Sequence, residues 1–107
     1  MDEASHSLDR LAAATERLLG SAAALSDTQA REPSLLPGWT RGHVLTHIAR
    51  NADGMVNLLH WARTGTQTPM YASPESRAAD IEAGAGRPAA GLAADVRESA
   101  AALPPWR

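Results

Sequence analysis

Apolar residues recur every three or four positions in the first quarter of the chain, which is the period of an α-helix that packs on one face. The spacings of 3, 4, 3, 4 and 3 join Leu8, Leu11, Thr15, Leu18, Ala22 and Leu25. Arg10, Glu16 and Arg17 lie off this seam and are expected to be solvated. The pattern predicts a first helix over residues 3–26, as in a bundle or coiled coil, followed by at most a frayed turn over 27–33.

A second helix is predicted over residues 41–63, and the rest of the chain is organised around it. Thr40 lies two residues after the Pro37-Gly38 turn, and its hydroxyl can accept a hydrogen bond from an early backbone N–H of the helix. No proline interrupts the segment, and Thr64-Gly65 supplies a stop signal.

The apolar positions of this second helix fall on one side when they are placed about 100° apart per residue. The residues predicted to face the core are Val44, Ile48, Ala52, Met55 and Leu59. Asn51 falls inside this face and His47 at its edge, whereas His43 and His60 lie farther round and should be more exposed. Because an unpaired buried polar group costs about 1–3 kcal/mol, polar partners are expected to meet this helix from inside the bundle.

The remaining third of the chain predicts a loop and two further helices. Residues 64–73 form the loop, in which Met70 and Tyr71 are expected to be exposed. Ser73 and Pro74 read as the cap and first residue of a short helix over 74–83, and Pro88 opens a third long helix. One face of that helix carries Leu92, Val96, Ala100 and Leu103.

Three long helices and one short helix predict an all-α, up-down bundle, in a single partial domain over residues 1–107. Four long helices normally close such a bundle, so a missing fourth helix would leave an apolar groove uncovered. The chain ends at Trp106-Arg107, directly after the Pro104-Pro105 stop. This ending favours a fragment of a longer protein or an obligate oligomer.

The composition excludes several classes of function. With 44% hydrophobic and 21% charged residues and no run of 18 apolar residues, the chain predicts no membrane span. The acidic N-terminus has no apolar segment of a secretory signal, and a net charge of −2 without a basic cluster gives no basis for nucleic-acid binding. The absence of cysteine suits a cytoplasmic protein and means that any thiol chemistry must use a thiol brought in.

His43 and His47 are the first candidates for chemistry, because residues four apart on a helix are neighbours and two imidazoles can reach one divalent cation. Asp53 and Glu75 can add carboxylate ligands, although their spacing does not single them out. The structural alternative is that His43 is a surface residue and His47 a hydrogen-bonded boundary residue. From spacing alone, this alternative is favoured.

Aromatic and basic residues near the histidines also have two interpretations. Trp39 is interpreted as a packing residue between helices rather than a substrate contact. Arg41, Arg50 and Arg63 either hold a carboxylate substrate by bidentate hydrogen bonds or are solvated residues of the helix surface.

Residues 35–81, LLPGWTRGHVLTHIARNADGMVNLLHWARTGTQTPMYASPESRAADI, resemble the N-terminal part of the mycothiol-dependent maleylpyruvate isomerases, a branch of the DinB-like helical-bundle superfamily. The segments GWTRxH, HxARNA, LLHWAxTG and TPMYxSPExR carry the resemblance, in this order and without gaps. The resemblance implies a DinB-like bundle with a divalent metal, usually zinc, bound by His47 and by a Glu and a His of a fourth helix. It also implies that His43, Asn51, Arg50 and Trp39 lie near this site.

The reaction implied by the resemblance is the isomerisation of maleylpyruvate to fumarylpyruvate in the gentisate pathway, with mycothiol as thiol cofactor. Since the Glu and His of the fourth helix have no counterpart here, the isolated chain is expected to be inactive. It would be a fragment, or two copies would pair through the uncovered helix face as a homodimer. The alternatives are a mycothiol-dependent thiol transferase of the same superfamily and a non-catalytic helical module that dimerises or binds a partner.

Overall fold

The structure, a computed structural model, describes residues 3–103 and contains five helices over this range. They are α1 (Glu3–Ala23), α2 (Asp27–Arg31), α3 (Arg41–Thr64), α4 (Pro74–Ala85) and α5 (Ala89–Ala101). The described part has no β-strand, and its one isolated bridge joins Pro33 and Thr40. The all-α prediction is confirmed. None of the helices within residues 3–103 is long and apolar enough to cross a membrane.

Local capping signals set the helix ends. Thr40 caps α3 as predicted, and Gly65 ends that helix with a left-handed backbone at φ 76°. Ser73 caps α4 as predicted, although α4 continues to residue 85 instead of 83. The segment predicted as a frayed turn is a capped helix, α2, because Ser26 and Gln29 form a capping box.

The core lies where α5 packs against both α1 and α3, while α4 packs on α3. Its buried residues are mostly small: Ala22, Ala30, Leu45, Ala49, Ala89, Leu92, Ala93 and Val96. Leu18 and Leu25 of the predicted α1 seam pack against this cluster, and the apolar face of α5 is confirmed at Leu92 and Val96. The side chains of Leu8 and Leu11 and the stop at 104–105 lie outside the described residues.

The apolar face predicted for α3 is confirmed at Ile48, which packs against the core, and is wrong at Met55 and Leu59. The buried residues of α3 are Gly42, Leu45, Thr46, Ala49 and Gly54. Met55 and Leu59 are instead 40% and 41% exposed, and the other members of the predicted face, Val44, Ile48 and Ala52, are half-buried. The small residues are buried because they allow neighbouring helices and loops to come close to the α3 backbone, so the larger side chains remain on the open side.

Gly42 shows how close this approach is. A Cβ atom there would collide with the carbonyl oxygen of Ala85, the last residue of α4, and would crowd the carbonyl oxygen of Ala30 in α2. Arg31 stabilises the same end of α4 by donating hydrogen bonds to the carbonyl oxygens of Ala85, Gly86 and Arg87 at 3.3, 2.7 and 2.7 Å. The C-terminal end of α4 is therefore fixed against the start of α3.

Candidate functional site

The N-terminal half of α3 brings its two histidines under one tryptophan ring. Trp39, one residue before the cap of α3, stacks on His43 with the ring centroids 6.0 Å apart and the planes 16° apart. The same indole lies 5.6 Å from the ring of His47, at an angle of 50°. His43, His47 and Trp39 are thus neighbours, and Trp39 packs on both histidines rather than only between helices.

His43 has hydrogen-bond partners at both ring nitrogens. Its Nδ1 accepts a hydrogen bond from the backbone N–H of Thr40 at 3.1 Å, which completes the capping box of α3. Its Nε2 therefore carries the proton and donates to Oε1 of Glu82 in α4 at 3.0 Å. Because Trp39 and Glu82 cover the ring, only 16% of the side chain is exposed, and the prediction of an exposed His43 is wrong. His43 connects α3 to α4.

His47 meets a different partner from α4. Nη2 of Arg77 donates a hydrogen bond to Nδ1 of His47 at 2.8 Å, so the helix does receive a polar partner from inside the bundle, as predicted. Burial of the half-buried ring, and then the charge of Arg77, lower the pKa of His47 below its usual range. The imidazole is accordingly neutral at pH 7, which is the form that binds metals.

Tyr71, in the loop after α3, contacts both Arg77 and Asn51 beside the histidines. The ring of Tyr71 lies 5.4 Å from Cζ of Arg77, and its hydroxyl donates to Oδ1 of Asn51 at 3.3 Å. Asn51 is exposed, so its placement on a buried face was wrong. Met70 and Tyr71 are half-buried rather than exposed, because Gly54 of α3 has no side chain and Met70 packs directly on it.

Arg50 lies about one helical turn after His47, and two carboxylates balance its charge. Its Nε donates to Asp53 at 3.0 Å and its Nη2 to Asp95 of α5 at 2.6 Å. Arg87 donates to the second oxygen of Asp95 at 2.7 Å. Burial raises the pKa of Asp95, but the hydrogen bonds and charges of Arg87 and Arg50 outweigh it, so this pKa lies below its usual value. Arg50 and Asp53 are therefore parts of an ion-pair network.

The remaining predicted site residues lie apart from the histidine pair. Arg41 pairs with Glu32 at 3.5 Å. Glu75, Arg63 and His60 are exposed, Glu75 in the first turn of α4 and the other two near the end of α3. The structure does not bring these side chains together with His47.

A family model described as the mycothiol maleylpyruvate isomerase N-terminal domain matches residues 11–104 of the chain. The chain belongs to this family. A solved structure, the crystal structure of the mycothiol-dependent maleylpyruvate isomerase, matches 90% of the chain with a TM-score of 0.81 and 38% sequence identity. A histidine-to-alanine mutant of that enzyme matches with a TM-score of 0.80 at the same identity. The chain spans 39% of the length of the solved enzyme, and no curated protein matches it.

Few of the described side chains are placed to act as metal ligands. Within residues 3–103, no group of three or more His, Asp or Glu side chains is placed to hold a metal ion. His47 fits as one ligand, because its imidazole is neutral and half-buried. Its Nδ1 is engaged by Arg77, so that hydrogen bond must break before Nδ1 can bind a metal.

Three residues of the site, Tyr71, Arg77 and Glu82, were not singled out from the sequence. Tyr71 and Arg77 belong to the TPMYxSPExR segment, and Arg77 lies in the first turn after the Ser73 cap. Their place in this segment is the one feature of the sequence that points to these two residues. The contacts themselves depend on how α4 docks on α3, over sequence separations of 30 residues for Arg77–His47 and 39 for Glu82–His43.

Proposed function

We propose that this chain is the N-terminal part of a metal- and mycothiol-dependent maleylpyruvate isomerase, and that His47 is one of the metal ligands of that enzyme. The enzyme would convert maleylpyruvate to fumarylpyruvate in the gentisate pathway. The observation that carries the proposal is the position of His47: it is half-buried against Trp39, on a helix of a domain 38% identical to an enzyme of that name. Zinc is the proposed metal.

Each residue of the site has a separate task in this proposal. Trp39 and Arg77 fix the ring of His47 from two sides, and His43 fixes α4 against α3 through Glu82. The bound metal would polarise the substrate and lower the pKa of a thiol. We propose that mycothiol supplies that thiol, in keeping with the name of the family.

The described residues supply one of the three protein ligands that a catalytic zinc usually has. We therefore expect the chain by itself to bind zinc weakly and not to catalyse the isomerisation. The other ligands would come from further residues of a longer enzyme, or from a second copy of the chain.

Zinc binding by a histidine variant tests the proposal. Equilibrium dialysis at several free zinc concentrations should show less bound zinc for His47→Ala than for the unchanged chain, because the variant lacks the ligand. His60→Ala is the control, since His60 is an exposed residue of the same helix. The proposal is wrong if His47→Ala binds as much zinc as the unchanged chain, or if His60→Ala loses as much as His47→Ala.

A non-catalytic module that dimerises is the second candidate, and exposed apolar residues favour it. Leu35 is fully exposed, and Met55 and Leu59 of α3 are each exposed by about two fifths. A thiol transferase of the same superfamily would use the same histidine and the same thiol. Turnover of alternative substrates by a complete enzyme of the family distinguishes it from the isomerase.

A further inference from the structure

A small polar cavity opens beside the histidine site, between α3, the loop over residues 65–73 and α4. Its volume is about 220 Å³, and its polar wall includes Arg50, Asp53, Tyr71, Ser76, Arg77 and Asp80. Arg77, which lines the cavity, also donates to Nδ1 of His47, so this one side chain connects the cavity to that ring. Pockets for drug-sized ligands measure roughly 300–1,000 Å³, and this cavity therefore suits a smaller molecule.

The two arginines of the cavity differ in how their charges are balanced. Arg50 is paired with Asp53 and Asp95 at 3.0 and 2.6 Å. Arg77 has no carboxylate of the described residues within 4.0 Å, although Asp80 lies one turn further along α4 in the same wall. A half-buried guanidinium without a counter-charge favours an anion beside it.

The hydrogen-bond donors of Arg77 lead to the same conclusion. A guanidinium carries five N–H donors in a planar fork. One of them is used on Nδ1 of His47, and no other acceptor of residues 9–10 and 12–103 contacts the side chain. The remaining edge of the fork can form two parallel hydrogen bonds with a carboxylate.

The guanidinium is held in place before any ligand arrives. Tyr71 lies against its face at 5.4 Å, and the hydroxyl of Tyr71 is in turn bonded to Asn51. His47 holds one Nη nitrogen. Because the side chain is already ordered, a ligand gains the hydrogen bonds at a smaller loss of conformational entropy.

We infer that Arg77 is a carboxylate-binding residue, which holds a small organic acid in this cavity next to His47. That the acid is the substrate, a short unsaturated dicarboxylate, rests on the proposed function. The binding itself requires no metal.

Titration of the metal-free chain with maleate at constant ionic strength, followed by NMR of the backbone amides and of the arginine Nε–H groups, tests this inference. Maleate should produce saturable shifts of the Arg77 signal and of the backbone amides that line the cavity, and the amides report the affinity of variants that lack Arg77. In Arg77→Gln the affinity should fall roughly tenfold or more, since hydrogen bonds to a charged group are lost. Arg77→Lys keeps the charge without the fork and should also bind more weakly. Arg97→Gln is the control, because Arg97 is an exposed residue of α5.

The inference is overturned if the unchanged chain does not bind maleate, if Arg77→Gln binds as tightly as the unchanged chain, or if Arg97→Gln loses as much affinity. It is also overturned if inorganic phosphate shifts the Arg77 signal at the same concentrations. Circular dichroism checks that Arg77→Gln is folded. If Arg77→Gln is not folded, the affinity of Arg77→Lys for maleate decides the result. Zinc dialysis uses no maleate and this titration uses no metal, so each proposal can fail without the other.

Discussion

Two histidines one turn apart on α3 share Trp39 as a neighbour and yet have different partners. His43 is held at both ring nitrogens, by Thr40 and by Glu82, and thereby joins two helices. His47 accepts a hydrogen bond at one ring nitrogen, from the guanidinium of Arg77. The difference comes from the groups that α4 presents to each ring. We therefore propose His47, rather than His43, as the histidine that takes part in the chemistry.

Gly42 gives a prediction at the scale of a single residue. In Gly42→Ala the new methyl group would collide with the backbone carbonyl of Ala85, which cannot move without shifting α4. We expect a loss of about 1–3 kcal/mol in the free energy of unfolding, as for overpacked sites. The measurement is urea denaturation.

Gly20→Ala is the matched control for this prediction. Gly20 lies in α1, and a Cβ atom there would meet nothing within 4 Å. Alanine loses less backbone entropy on folding than glycine, so this variant should gain about 0.5–1 kcal/mol. Equal stability changes in the two variants would contradict the close contact between α3 and α4.

At the scale of elements, α3 and α5 are joined by the carboxylate of Asp95, which receives hydrogen bonds from Arg50 and Arg87. We expect Asp95→Asn to lower the free energy of unfolding at pH 7 by about 1–3 kcal/mol, because the amide carries no charge and replaces one of the two acceptor oxygens with an NH2 donor that faces a guanidinium. Glu98→Gln, an exposed residue of the same helix, is the control and should have little effect.

The effect of Asp95 should also depend on pH. The pKa of Asp95 in the folded chain is lower than its usual value, so the unfolded chain binds more protons in the interval between the two. The stabilisation is therefore fully present above about pH 4 and is lost as the pH falls through the lowered pKa. Denaturation of Asp95→Asn and of the unchanged chain at several pH values measures this difference in the free energy of unfolding. A difference in the free energy of unfolding between Asp95→Asn and the unchanged chain that does not shrink as the pH falls below about 4 would contradict it.

Most helix ends could be predicted from the sequence, whereas the packing face of α3 could not. Thr40, Gly65 and Ser73 act within their own helical turn, so their roles can be derived from neighbouring residues. The capping box of α2 was an equally local signal that was overlooked. The buried face of α3 depends on glycine and alanine, whose small size matters only once another backbone approaches. For the same reason, the partners of His43 and His47 could not be predicted.

At the scale of the whole molecule, the large apolar residues that α3 leaves exposed bear on self-association. We propose that copies of this chain pair through this surface, which includes Met55 and Leu59. Sedimentation velocity should then show an apparent mass that rises with concentration, and Leu59→Glu should keep the chain monomeric. Ala78→Glu is the control, because Ala78 is exposed on α4. Identical behaviour of Leu59→Glu and the unchanged chain would contradict pairing through this face.

Nitrogen-15 NMR of the imidazole rings during a zinc titration tests the role of His47 most directly, because it detects weak binding and resolves each histidine. Zinc should shift the ring nitrogens of His47 at lower concentrations than those of any other histidine. The hydrogen bond from Arg77 to Nδ1 should be lost if the metal binds at that nitrogen. Ring nitrogens of His47 that do not move while His43 or His60 responds to zinc would contradict the assignment.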